Sequence, residues 1–188
     1  MSLEEQFTVF PTMETKRLLL RPMVAEDAEA HFSFFPDPVL QQGIRGGFIP
    51  QSVEQTRGII EKFSQAYSQR ASLAWGIALK ENNQIIGGID LTNFVNRKMA
   101  DLGFYLARRC WNQGYMTEAV SQIVRFSFER AELNRLQATV AIENIASIRV
   151  LQKTGFTQEG LLREYAMGSE FGDVYLFSIL RREYRSGS

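Results

Sequence analysis

The run Arg108-Arg109-Cys110-Trp111-Asn112-Gln113-Gly114-Tyr115-Met116-Thr117-Glu118-Ala119 constrains this chain most, because the hydrophobic period changes across it. Before the run, Leu102, Phe104 and Leu106 alternate, which predicts a half-buried strand over Met99 to Ala107. After it, Met116, Ala119, Val120, Ile123 and Val124 recur at helical spacing. A strand that feeds a helix through a glycine-containing turn leaves the first helical N–H groups unpaired and aimed at one spot, which suits an anion. Gly114 lets a ligand approach the backbone closely, Thr117 and Glu118 suit a first turn, and Arg109 adds positive charge. Neither a Walker A spacing nor GxGxxG is present, and an ordinary strand-to-helix turn is the plain alternative.

Two later segments carry further pattern. In Asn144-Ile145-Ala146-Ser147-Ile148-Arg149-Val150-Leu151-Gln152-Lys153-Thr154-Gly155-Phe156, Asn144 can cap a short helix and Gly155 can end it. Ile148 and Leu151 share a face, and Lys153 near the helix end can answer the helix dipole. Glu159-Gly160-Leu161-Leu162-Arg163-Glu164-Tyr165 and Phe171-Gly172-Asp173-Val174-Tyr175-Leu176-Phe177-Ser178-Ile179-Leu180 read as a closing hairpin punctuated by Gly168 and Gly172, with Arg163 and Asp173 in structural roles.

Taken together, these segments resemble the GNAT acetyltransferase superfamily. Its pyrophosphate loop has the form Gln/Arg-x-x-Gly-x-Gly/Ala, and here the loop is Arg109-Cys110-Trp111-Asn112-Gln113-Gly114. Asn112 replaces the first glycine, and asparagine is the non-glycine residue that best tolerates left-handed backbone. Gly114-Tyr115-Met116-Thr117-Glu118-Ala119 is similar to the Gly-Tyr-x-Thr-Glu-Ala of the branch that acetylates ribosomal-protein N-termini. The Asn144 segment resembles that family's Asn-x-x-Ser-x-x-x-Leu-x-Lys-x-Gly-Phe, and the hairpin its Glu-Gly-x-x-Arg-Glu with a later Asp.

The resemblance implies acetyl-CoA as co-substrate. The loop over Asn112, Gln113, Gly114, Tyr115, Met116 and Thr117 would hold the pyrophosphate, with Arg109 and Lys153 toward the nucleotide end. Backbone groups of the strand carrying Phe104, Tyr105 and Leu106 would pair with the pantetheine arm. Asn144 is a candidate cofactor contact as well as a cap, and Ser147 is the candidate proton donor to the departing thiolate. In this reading the acceptor amine must lose a proton and the oxyanion needs a donor. A peptide α-amine has a pKa of about 7.7–8.0 and a lysine about 10.4, so a weak or water-mediated base suffices for the first. Asp101 stands where related N-terminal acetyltransferases carry a glutamate, which implies a base acting through water. A strand-edge carboxylate in a surface ion pair is the alternative use of Asp101.

The remaining elements fit the same family. Arg17 to Arg21 reads as a strand, Val24 to Phe35 as a helix before Pro36-Asp37-Pro38, and Ser52 to Gln69 as a helix capped by Ser52 with Gln55 at the capping-box position. Strands follow over Leu73 to Leu79 and Gln84 to Leu91, and later over Arg135 to Ile142. The expected class is α/β (α+β): a single mixed, mostly antiparallel sheet flanked by helices, ordered β-αα-βββ-α-β-α-ββ. The expected domain covers 12–182, after an N-terminal extension over 1–11 and before a loose tail over 183–188.

Composition narrows the partners. A formal net charge of zero gives no overall basic field for nucleic acid or membrane. One histidine, His31, and one cysteine, Cys110, cannot assemble a common zinc site, so no metal is expected, and His31 reads as a bystander on an early helix. Glu4 and Glu5 without a basic-then-apolar leader do not resemble a signal peptide, and there is no membrane-length apolar run, so cytoplasm is the default location. The acceptor pocket falls to the early helices and Gln41 to Pro50, with Phe32, Phe34, Phe35, Phe48 and Trp75 as candidate lining that core packing explains equally well. The acceptor is left open between a protein N-terminus and a small amine such as a polyamine, aminoglycoside or amino acid. A non-catalytic acyl-CoA-binding module is the third reading. A homodimer is implied by the resemblance alone.

Overall fold

The strand read before the period change becomes the centre of an eight-stranded sheet. The computed structural model describes residues 2–43, 48–167 and 170–185. The strands are β1 (Met13–Glu14), β2 (Leu18–Arg21), β3 (Leu73–Leu79), β4 (Ile85–Val95), β5 (Met99–Leu106), β6 (Arg135–Ala141), β7 (Thr157–Met167) and β8 (Glu170–Leu180), in sheet order β1-β2-β3-β4-β5-β6-β8-β7. The helices are α1 (Ala28–Phe32), α2 (Pro38–Gly43), α3 (Val53–Ser68), α4 (Tyr115–Glu129) and α5 (Ile145–Lys153). Among the described residues only β5 and β6 run parallel, so the sheet is mixed and mostly antiparallel.

Register assigns the two faces. Trp75, Ile89 and Phe104 lie opposite one another across β3, β4 and β5, and so do Ala74, Asp90 and Gly103 one residue along. The first row faces α4, because Trp75 makes an edge contact with Phe126 of that helix at 5.4 Å between ring centroids. The second row faces α1, because the Tyr105 hydroxyl on the same face of β5 meets His31. Helix α4 buries Met116, Ala119, Val120, Ile123, Val124 and Phe126 against the first face, the stripe its period predicts.

Several short elements depart from the sequence expectation. Strand β1 pairs Met13 with Leu20 and Glu14 with Leu19, and two residues are too few to carry a period. The expected helix over Val24 to Phe35 is a 3-10 turn at Ala25–Asp27 followed by the single turn-and-a-half of α1. The Asp27 carboxylate holds the Val24 N–H at 2.8 Å and pairs with Arg21, which fixes that entry. After Pro36 the chain does not simply loop: Pro38 opens α2, with Asp37 Oδ1 accepting the Val39 N–H at 2.9 Å. Strand β4 runs past Leu91 because Thr92 pairs with Asp101 and Val95 with Met99. Gly172 sits inside β8 opposite Tyr165 instead of ending a strand, while Gly168 lies outside the described residues. The capping box at Ser52 is half formed. Ser52 accepts the Gln55 N–H, but the Gln55 side chain takes the N–H of Gln51.

Residues 2–11 pack onto the sheet. Leu3 is buried, Phe7 and Phe10 stack with Tyr67, and the Pro11 carbonyl accepts the Trp75 indole N–H at 2.6 Å. Residues 186–188 of the expected tail, and 44–47 of the expected acceptor loop, lie outside the described residues. Among the described residues no helix is long and apolar enough to cross a membrane.

Candidate active site

Strands β5 and β6 pair over only three residues each, from Met99, Ala100 and Asp101 to Arg135, Leu136 and Gln137. Beyond Asp101 the sheet opens. Because the two strands are parallel, α4 after β5 and α5 after β6 both begin at the open end, and the two helices pack against each other.

The open edge of β5 follows from its alternation. The Ala107 N–H bonds to Ile86 of β4, and the Tyr105 carbonyl also points at β4, toward Gly87. The backbone of Phe104 therefore points the other way, into the gap, with no strand opposite it. The Leu106 carbonyl points into the gap as well and is taken by the Trp111 indole N–H at 2.8 Å. Among the described residues Phe104 thus presents an unpaired N–H and C=O where an extended ligand could add as a strand. Tyr105 turns its backbone to β4 and its ring to the α1 face.

The loop between β5 and α4 is built to leave backbone N–H groups free. Asn112 takes the left-handed conformation with φ 59°, and Gly114 takes it with φ 78°. Gly114 is the N-cap of α4 and has no side chain to close the helix, so the first-turn N–H groups of Tyr115, Met116 and Thr117 converge uncapped. Arg17 pins the loop from β2's approach. It donates to the Gln113 carbonyl at 2.9 Å, pairs with Glu118 at 2.7 Å, and lies over the Tyr115 ring at 4.3 Å. Burial pushes the Glu118 carboxyl up, but hydrogen bonds from Thr15, the Arg17 N–H and the Arg17 guanidinium outweigh it and hold the carboxyl below the usual range. Glu118 is thus an anchor, and Arg17 is an anchor that local sequence pattern does not signal.

The basic candidates are spread. Arg109 is exposed with its guanidinium over the Phe34 ring at 5.4 Å. Lys153 is exposed in the last turn of α5, about 9 Å along the axis from Ser147. Asn144 caps α5, its Oδ1 accepting the Ser147 N–H at 3.1 Å, which leaves its amide N–H₂ free of that bond. Ser147 lies in the first turn of α5 and is half-buried.

Asp101 stands at the fork. Its two oxygens accept Asn93 Nδ2 and Gln137 Nε2, each at 2.8 Å. Three residues that the sequence reading did not combine lie on the same face. Asp90 leans across Gly103, where a Cβ would come 2.7 Å from Asp90 Oδ1. Tyr105 leans the other way across Gly88, and its hydroxyl hydrogen-bonds to His31 Nε2. Desolvation pushes the Asp90 carboxyl up to about 6 and, against the opposing charge of Asp27, pushes His31 down to about 4. Burial first, and then the nearby Asp90 charge, push the Tyr105 hydroxyl upward. At neutral pH this face therefore carries the Asp90 carboxylate beside neutral His31 and Tyr105.

Of the aromatic candidates, Trp75 is fully buried on the α4 face and cannot line a pocket on the α1 face. Phe34 and Phe35 are buried against His31, and Phe48 is 64% exposed. Among the described residues no group of His, Cys, Asp and Glu is arranged to hold a metal ion. The uncapped α4 terminus and the open Phe104 edge at one gap fit a ligand with a phosphate and an amide-bearing arm.

Comparisons with known proteins converge. The Acetyltransferase (GNAT) domain model matches residues 17–157. The uncharacterized N-acetyltransferase p20 of Bacillus licheniformis is 34% identical over 177 residues, covering 92% of this chain and 98% of that protein. The crystal structure of a GNAT-family acetyltransferase from Bacillus anthracis superposes with a TM-score of 0.80 at 26% identity, covering 92% of this chain and all of that one. RimL, a ribosomal L7/L12 alpha-N-protein acetyltransferase solved with coenzyme A, has a TM-score of 0.79 at 20% identity over 90% of this chain and 98% of its own, a likeness of fold.

Proposed function

The chain belongs to the acetyltransferase (GNAT) family and is an N-acetyltransferase, and from that premise we propose that it moves an acetyl group from acetyl-CoA to the N-terminal α-amine of a protein, such as a ribosomal protein, by direct attack in a ternary complex. The coincidence of an uncapped helix terminus and an open strand edge at one gap carries this reading. When bound, acetyl-CoA supplies an activated thioester. The N–H groups of Tyr115, Met116 and Thr117, aided by Arg109, hold its phosphates, and the Phe104 backbone orients its arm. Asp101 takes the amine proton through a water. The Ser147 hydroxyl gives a proton to the leaving sulfur.

The protein terminus is favoured by the Gly114-to-Ala119 motif and by chemistry, since roughly a tenth of an α-amine is already neutral at pH 7 and needs only a weak base. One observation favours a small polyamine instead. The acceptor face carries both Asp90 and Asp101, which suits a polycation. The test is thiol release from acetyl-CoA with Ser-, Ala- and Met-initiated peptides set against spermidine. Turnover confined to the peptides supports the first reading, and turnover confined to spermidine replaces it with the second.

A further inference from the structure

Among the described residues, the half-buried acids are satisfied with one exception. Asp27 is held by Arg21 and the Val24 N–H, Glu118 by Arg17 and Thr15, and Asp101 by Asn93 and Gln137. Asp90 is held by none of the described residues. No hydrogen bond or ion pair to its carboxylate is formed among them, although it is shielded well enough for desolvation to push it up to about 6. A carboxylate partly withdrawn from water with no donor from the protein costs the fold stability, and its remaining exposure leaves it open to a ligand.

Its position supplies one. Asp90 is directly opposite Gly103, the first residue on the α1 face after β5 and β6 part at Asp101 and Gln137. Gly103 has no side chain, and that vacancy is what the Asp90 carboxylate occupies at the lip of the gap. The groups facing it are Asp101 and Tyr105 from β5, His31 from α1, and Ala74 from β3. None of these is a cation at neutral pH, since desolvation keeps His31 neutral. The Tyr105 hydroxyl is held to His31. An ammonium is the ligand that completes such a wall. It finds one carboxylate free at Gly103 and a second, already braced, diagonally across at Asp101.

We propose that Asp90 is the specificity-determining residue of the acceptor site, receiving the acceptor's ammonium and holding the amine beside Asp101 at the mouth of the β5–β6 gap. This rests on the acetyltransferase reading above and extends it to the acceptor. It selects cationic primary amines whether they come as a peptide terminus or a polyamine.

Asp90→Asn keeps the shape and removes the charge. With a Ser-initiated hexapeptide and with spermidine as probes, it raises the acceptor KM at least tenfold and leaves kcat within about threefold, while the acetyl-CoA Kd by calorimetry is unchanged. Asp90→Glu recovers part of the KM. An unchanged acceptor KM, or a cofactor Kd that rises in step with it, overturns the assignment. A second readout needs no turnover: with coenzyme A present, the carboxyl ¹³C resonance of Asp90 shifts on adding either amine. A resonance unmoved by both overturns the proposal. Failure of the wild type to bind acetyl-CoA would instead overturn the acetyltransferase reading beneath it.

Discussion

In the proposed reading, the working groups on the cofactor side of the β5–β6 gap are backbone: the N–H groups of Tyr115 to Thr117 and the amide edge of Phe104. On the proposed acceptor side they are side chains: Asp90, Asp101, Tyr105 and His31, brought together from three separate elements. Backbone groups need only the right dihedrals, which Asn112 and Gly114 supply locally. Side-chain groups need a register and a packed helix. The cofactor side should therefore fail when the dihedrals fail and tolerate loss of single charges. The acceptor side should respond to each charge in turn.

The sharpest break is Gly114→Val. At φ 78° a β-branched residue is strained by about 1–3 kcal/mol, and relaxing it turns the first-turn N–H groups away from the anion for about 1–2 kcal/mol more. The expected result is a rise in acetyl-CoA Kd of roughly 1,000-fold by calorimetry. Arg109→Ala should cost only about two- to fivefold. If the arginine loss matches the valine loss, side-chain charge and not backbone holds the cofactor.

Next in size is a pair of opposing titrations on the acceptor side. His31 is lowered from 6.5 to about 4, so its neutral form is favoured by folding. That stability is whole above pH 6.5 and is lost as pH falls toward 4, because the unfolded chain takes the proton first. Asp90 is raised from 3.8 to about 6, so it weakens the fold above pH 6 and the penalty lifts as pH falls toward 3.8. Each amounts to about 3 kcal/mol, and in the wild type they largely cancel. Denaturant unfolding across pH 4 to 7 should show the pair uncoupled in variants. Relative to wild type, Asp90→Asn loses more stability on acidification and His31→Asn loses less. Parallel slopes in all three proteins would remove both residues from the picture of a desolvated acceptor wall.

How much of this was legible depended on range. The strand, turn and helix over Met99 to Glu129 are contiguous, so period, glycine and motif revealed the strand-turn-helix and its uncapped helix start before any packing was known. Asp90 read only as a strand residue, Tyr105 as part of the strand facing the cofactor arm and not as a side chain of the acceptor face, and His31 as a bystander on a helix. They become neighbours because the β4–β5 register sets Asp90 against Gly103 and because α1 docks on that face, neither of which leaves a local pattern. Trp75 failed as a pocket candidate for a related reason. Its row contains Ile89 and Phe104, and only the register reveals that this row faces α4. Strand β1 and helix α2 were missed because they are too short for a period to repeat.

Asp101→Asn probes the proton path at the fork. A carboxylate acting through water contributes about 100-fold, the low end for a general base, and most at low pH where the acceptor is still protonated. The expected kcat/KM profile drops most steeply below pH 7 and converges on wild type as the amine deprotonates in solution. A loss that is flat with pH would mean that Asp101 only braces Asn93 and Gln137, the two donors it holds across β4, β5 and β6.

The smallest effect separates two uses of one residue at the other helix start. Where α4 opens on a glycine, α5 opens on Asn144, whose carbonyl oxygen closes the Ser147 N–H. Asn144→Ala removes the cap for about 1 kcal/mol of stability, a fall in Tm of a few degrees. Asn144→Asp keeps the cap oxygen and should hold the Tm, but it replaces the free amide donor with a charge. If Asn144 serves only α5, both variants bind acetyl-CoA like wild type. If its amide also meets the cofactor, the aspartate variant weakens binding several-fold with no loss of Tm. That outcome would make α5 a terminus both closed for folding and open to ligand, narrowing its contrast with α4.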